Sequence, residues 1–247
     1  MVAERTLIIN ADDFGYDPAI DEGIVQAMQQ GLVTSTTLMV NTPHSLSSAR
    51  RLSTLSAGLH VNLARYPPLS PSFPSIFLSD GQLDEAFAAR LPAAAVRVEV
   101  VAQLKRFEEL THRRPTHLDV HRHLHRHPQI LEGISSAVTQ WKLPLRSIDA
   151  PMRHDLQTRG IVTNQYFIGD AGTSAYWTWE TLRSELERLP AAEGVTELMC
   201  HPGYPPTTLS SGYSEQRKVE LETFTDPRGR DLLRTQGINL VNWGAIK

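Results

Sequence analysis

Residues 5–13, "RTLIINADD", decide the fold class. A short unbroken apolar run closed by carboxylates is the pattern of a strand buried on both faces, and such strands belong to parallel sheets covered by helices. The next stretch, "DPAIDEGIVQAMQQG" (17–31), supplies the cover: Asp17 as N-cap, Pro18 at N1, Ile20, Ile24 and Met28 on one face, Gly31 as the stop. Working outward, strand patterns recur in "LVTSTTLMVN" (32–41), "SAGLHVNL" (56–63), "PTHLDVH" (115–121), "LPLRSIDA" (143–150), "VTELMCHPG" (195–203) and "GINLVNW" (237–243). Helical patterns fill the intervals at 45–52, 96–111, 128–141, 179–189 and 214–224, with one more expected between 82 and 95. Two stretches carry no period. Residues 65–81, with four prolines, read as a surface loop that serves as a lid or as a homodimer interface, and 151–178 reads as irregular and aromatic.

Strands alternating with helices along the whole chain imply βαβ units. Seven or so units in one domain, 1–247, favour an irregular, TIM-like (β/α) barrel of about seven parallel strands over an open doubly wound sheet. No G-x-G-x-x-G follows the first strand, which counts against dinucleotide binding. The 247 residues are 40% hydrophobic and 21% charged, ordinary for a globular protein. A formal charge of −3 without a basic block gives no reason to expect nucleic acid. One cysteine, Cys200, rules out an internal disulfide framework and suits a reducing compartment. The N-terminal apolar run is too short for a signal peptide, and no window approaches the roughly 20 apolar residues of a membrane span. The expected location is the cytoplasm.

Position gives the polar residues their meaning. Asp12 and Asp13 close the first strand, His60 lies within the third, Asp119 and His121 close "THLDVH", Arg146 lies in "LPLRSID", and His201 closes "ELMCHPG". The C-terminal ends of parallel barrel strands gather on one face, where active sites are built. Singly, each residue has a bland reading: "DD" as a turn or cap, His60 as a core histidine, Arg146 as an ion-pair partner, His201 as a turn opener. Together they place two carboxylates, several imidazoles and a guanidinium around one opening.

Five of the ten histidines crowd into "THLDVHRHLHRHP" (116–128). Alternation along a strand puts His117, Asp119 and His121 on one side, which makes His121 the best-placed ligand and Asp119 the residue to orient its ring. His123, His125 and His127 follow the turn; lining the cleft, holding Asp12 or Asp13, and facing water are all open to them, and His125 is carried forward as a substrate contact. Tyr166, Tyr176 and Trp177 are candidate aromatic contacts to a substrate.

The segments "LIINADDFG", "GLVTSTTLMVN", "GLHVNL", "PTHLDVHRHLHRHP" and "ELMCHPGY", in this order and spacing, resemble the YdjC-like carbohydrate deacetylase family. That family includes chitooligosaccharide deacetylases and deacetylases of hopanoid biosynthesis. The resemblance implies a distorted (β/α) barrel that removes acetyl groups from N-acetylated sugars with one divalent cation, usually given as magnesium. It implies Asp13, His60 and His121 as metal ligands, Asp12 as catalytic base (the two aspartates being exchangeable) and His201 as general acid; charge pairing makes Arg146 the residue to hold Asp12 and keep it ionised. A His₂Asp donor set by itself favours zinc, the alternative ion. The chain departs from the family in carrying Val120 where serine is common, and in a shorter span between "GLHVNL" and "PTHLD". Two rival readings are a barrel phosphoesterase or amidohydrolase, which would usually open with H-x-H on the first strand, and a non-catalytic sugar-binding protein.

Overall fold

The structure, a computed structural model, describes residues 5–191 and 194–246. Its elements in chain order are β1 (Arg5–Phe14), α1 (Pro18–Gln30), β2 (Ser35–Leu38), α2 (Ser45–Ala49), β3 (Ala57–Val61) and the small hairpin β4 (Leu78–Ser79) and β5 (Gln82–Leu83). There follow α3 (Ala93–Thr111), β6 (Leu118–Val120), α4 (Pro128–Trp141), α5 (Ala150–Thr158), β7 (Tyr166–Ile168) and α6 (Trp179–Arg188). The chain ends with β8 (Val195–Cys200), α7 (Glu215–Thr225), α8 (Arg228–Thr235) and β9 (Ile238–Leu240).

Seven strands form one sheet in the order β6-β3-β2-β1-β8-β7, with β9 also on β1, and every pairing in it is parallel. The sheet curls into a half-barrel flanked by helices, as the alternation of patterns requires. β1 is long because it serves three partners. One edge pairs residues 6–11 with β8, while the other gives residues 10–14 to β2 and residues 5–7 to β9. From Leu7 to Phe14 it is entirely buried, which explains its unbroken apolar run.

Helix starts follow the sequence signals. Asp17 caps α1 by accepting from the Ala19 amide, and Pro18 and Pro128 open α1 and α4. The structure corrects three expectations. "LPLRSIDA" is not a strand: proline at 144 denies it a ladder amide, and only Leu145 bridges to Leu118 of β6. The 151–178 stretch is not irregular throughout, for it holds most of α5, capped by Asp149, and all of β7. The helix expected before α3 is a 3-10 segment, Glu85–Arg90.

The seam between β6 and β7 is closed by side chains as much as by backbone. Asn164, fully buried, accepts from the Ser147 amide (2.7 Å) and donates to the Ser147 carbonyl (2.9 Å), lacing the Leu145 segment to the approach of β7. The proline-rich segment is also fixed. Glu99 of α3, with no exposed surface, accepts from the amides of Leu69 (2.9 Å) and Ser70 (2.7 Å) and from Gln103 (2.8 Å). Asn62 accepts from the Arg65 amide and donates to its carbonyl, so the loop is held at both of these points.

Candidate metal centre and active site

The site lies at the C-terminal ends of the strands, in a cavity of about 480 Å³. Successive residues of a strand point to opposite faces, so two adjacent carboxylates cannot normally share an opening. Here β1 breaks step. Its register against β2 shifts between Ala11 and Phe14, and Asp13 takes φ 71, the left-handed region. Aspartate tolerates that region better than most residues, and the strain, about 1–3 kcal/mol, is held by the contacts Asp13 makes. Both Asp12 and Asp13 therefore line the cavity.

Each aspartate has its own arginine. Arg146, fully buried, grips Asp12 with both arms of its fork, Nη1 to Oδ2 at 2.7 Å and Nη2 to Oδ1 at 2.8 Å. The same guanidinium reaches Asp119 Oδ2 (2.9 Å) and Glu197 Oε1 (2.7 Å), so one cation is shared among three buried acids. Asn10 adds a hydrogen bond of 2.8 Å to Asp12 Oδ1. Burial alone would raise Asp12; Arg146 wins and holds it well below the usual carboxylate range. Asp13 is likewise buried, and Arg217 Nη2, 2.5 Å from its Oδ2, holds it low.

On the inner side of Asp13, Oδ1 lies 3.2 Å from His60 Nε2 and 3.1 Å from His121 Nδ1, and those two nitrogens are 3.3 Å apart. Asp13, His60 and His121 thus offer one oxygen and two nitrogens within 4.8 Å of one another, all buried. His60 Nδ1 meets Asp119 Oδ1 at 2.7 Å, which leaves Nε2 directed at Asp13. This is the carboxylate–imidazole arrangement that fixes a ligand's tautomer in metal sites. Burial pulls the His60 ring down, yet Asp119 and Asp13 push it up to about 10, the mark of a pocket that demands positive charge. The donor set fits a divalent ion. A second acidic group, Asp12 with His60 and Asp119, also falls within that reach, but Arg146 already occupies its charge.

A family model described as YdjC-like protein matches residues 6–235. The chain belongs to the YdjC-like family. It is 34% identical to a carbohydrate deacetylase of Geobacillus stearothermophilus, over 97% of each chain. Identity is also 34% with a chitooligosaccharide deacetylase of Yersinia enterocolitica, over 96% of this chain and 97% of that one. Among solved structures, an Enterococcus faecalis V583 protein assigned by name to cellobiose-phosphate cleavage superposes with a TM-score of 0.87 at 30% identity, over 97% and 98% of the two chains.

This YdjC-like chain brings Asp12, Asp13, His60, His121 and His201 to the cavity wall, with Arg146 and Asp119 directly beneath. Asp119 orients His60 rather than His121, because the two stand in register on β3 and β6. His121 lies past the end of β6, where positive φ at Arg122 and His123 turns the chain and aims His121 at Asp13. Burial lowers His201 to about 4, so its ring rests neutral.

The aromatic expectations fail. Trp177 is fully buried, its indole donating to the Met199 carbonyl (2.7 Å). Tyr166 lies under the Arg153 guanidinium and Tyr176 packs edge-on to Trp177; neither lines the cavity. His125 is buried behind His123, and it is His123 that faces the opening. Tyr16 and Tyr213 supply the aromatic surface there instead. Sequence reading missed Arg217, Tyr213 and Glu220, which come from α7 and the loop before it. Glu220 accepts from the His201 amide (2.5 Å) and from the Tyr213 hydroxyl, tying the β8 end to that loop. It also missed Glu197, whose signal was available: one acid inside the apolar strand "VTELMC".

Proposed function

We propose that this YdjC-like protein is a carbohydrate N-deacetylase, hydrolysing the acetyl amide of an N-acetylated sugar at a divalent cation held by Asp13, His60 and His121. The observation that carries the reading is the convergence of Asp13 Oδ1, His60 Nε2 and His121 Nδ1 beside a second, arginine-held carboxylate. The names of the Geobacillus and Yersinia relatives support the substrate class. A divalent ion bound there supplies Lewis acidity, acidifying water and polarising an acyl oxygen, a contribution of several kcal/mol. Magnesium is the ion the family likeness implies, with zinc the alternative that the donor set favours.

The chain's own groups divide the proton work. Asp12 Oδ1 already accepts from Arg146 and Asn10, whereas Oδ2 accepts from Arg146 alone. A carboxylate oxygen offers about two acceptor sites, so Oδ2 is the oxygen free to take a proton from water. Arg146 keeps Asp12 ionised and fixed in angle. His201, neutral at rest, receives the proton that Asp12 has taken from water and passes it to the departing nitrogen, which restores Asp12 as a base; general acid–base roles of this kind contribute about 10²–10⁴-fold each. Tyr213, whose ring stands 5.5 Å from that of His201, forms the wall against which the sugar lies.

Acetate release from N-acetylglucosamine oligomers, measured with and without a chelator, tests the reading. Acetate that disappears on chelation and returns with the ion is the expected result. Phosphate release from a phosphorylated disaccharide with no acetate would replace it with a phosphoesterase. Sugar binding without either product would make the protein a lectin-like module.

A further inference from the structure

We propose that Arg217 is a positioning residue that confines Asp13 to a single donor oxygen, and so weakens cation binding in exchange for open coordination positions. The inference rests on the cation reading above and concerns what α7 adds to it. Arg217 is buried, and its guanidinium is fixed at two points from different elements: Nη2 on Asp13 Oδ2 at 2.5 Å and Nε on the Tyr213 carbonyl at 3.0 Å. Its backbone carbonyl also accepts from the Gly203 amide (3.1 Å), which ties the first turn of α7 to the segment following His201. The fork cannot swing without breaking these contacts.

Two consequences follow for Asp13. Its Oδ2 is engaged by Arg217 of the cavity wall, so only Oδ1 faces His60 and His121. A carboxylate released from such a partner can rotate and give both oxygens to one ion, taking a position that water or the acyl oxygen needs. The guanidinium charge, one carboxylate away from the donors, also repels any cation placed there. An ion pair kept only for folding would act differently, since its loss would loosen the ligands and lower affinity and turnover together. Arg146 shows the contrast: it engages both oxygens of Asp12, one per arm, and leaves a single open acceptor site on Oδ2.

The test is isothermal titration of metal-stripped protein with Zn²⁺ and separately with Mg²⁺, for the wild type, Arg217→Met and Arg217→Lys, alongside kcat for acetate release. Arg217→Met is expected to bind roughly tenfold more tightly while kcat falls by about tenfold or more. Arg217→Lys retains the charge but not the two-point hold, so its affinity stays at or modestly above wild type and its kcat still drops. Unchanged or weaker binding by Arg217→Met overturns the inference. Should that variant fail to fold, the lysine variant decides alone: affinity below wild type overturns it, affinity at or above wild type with reduced kcat supports it. A wild-type chain that takes up neither ion overturns the cation reading and this inference with it, whereas wild-type binding without tightening overturns this inference only.

Discussion

Arg146 concentrates the electrostatics of the site in one side chain. It sits among Asp12, Asp119 and Glu197 with no exposed surface, and Glu197, raised by burial to about 7, also accepts from Trp243 Nε1 (3.2 Å). Removing one partner of a buried ion pair typically costs about 3–5 kcal/mol, because the charge left behind has neither water nor a counter-ion. Arg146→Met is therefore expected to lose about that much in urea unfolding and to abolish acetate release; a loss under 1 kcal/mol would mean the three acids share protons instead of relying on the arginine. The sequence placed Arg146 near Asp12 because "LPLRSIDA" reads as a strand; the segment makes only one bridge to β6, yet it delivers Arg146 to Asp12. Arg217 had no such signal, since a lone arginine in a mixed-charge helix reads as solvated. Only the packing of α7 over the β1 end brings it to Asp13.

At the scale of elements, the β1–α1 turn is held by a buried acid outside the catalytic cluster. Asp21, in the first turn of α1, accepts from the Gly15 amide (2.6 Å) and from the Ser48 hydroxyl of α2. Burial pushes its pKa from 3.8 up to about 6, against the lowering effect of Ser48, Gly15 and Arg51. A raised folded-state value means that this group's stabilisation is complete below the unfolded value near 4 and is lost as pH rises through 6. Asp21→Asn, close to isosteric and uncharged, is expected to be more stable than wild type at pH 7 by on the order of 2–3 kcal/mol, with the difference vanishing near pH 4. Chemical denaturation at the two pH values checks this, and a less stable asparagine variant at pH 7 would show the ionised acid to be the better partner. Elements such as α1 and α4 were legible because their caps and prolines are local signals. β7 and the Leu145 segment were not, because a three-residue strand and a single bridge draw their stability from neighbours distant in sequence.

For the molecule as a whole, a cation held at the proposed site would join β1, β3 and the end of β6 and so couple binding to global stability. A ligand at one hundred times its Kd stabilises by about 2.7 kcal/mol, which for a chain of this size shifts Tm by about 5–10 °C. Adding Zn²⁺ or Mg²⁺ to stripped protein should raise Tm by that amount, and His60→Ala should erase the shift; an equal shift in both proteins would place the ion elsewhere. The seven-stranded parallel sheet was legible from the alternation of apolar runs and amphipathic stretches, and the acid and histidine cluster from their place at strand ends. What escaped was everything supplied from the side of the barrel: the α7 residues, the two tyrosines of the cavity lining and the anchoring of the proline-rich segment.

That segment is braced against α3 and brings Arg65 to the rim of the bowl. Swinging it outward would strip the Glu99 carboxylate of two amides in a place without water, so the rim behaves as masonry and not as a hinged door. Whatever enters the cavity meets Arg65 on a support already in place, and selection falls on how well its shape matches that contour at first touch.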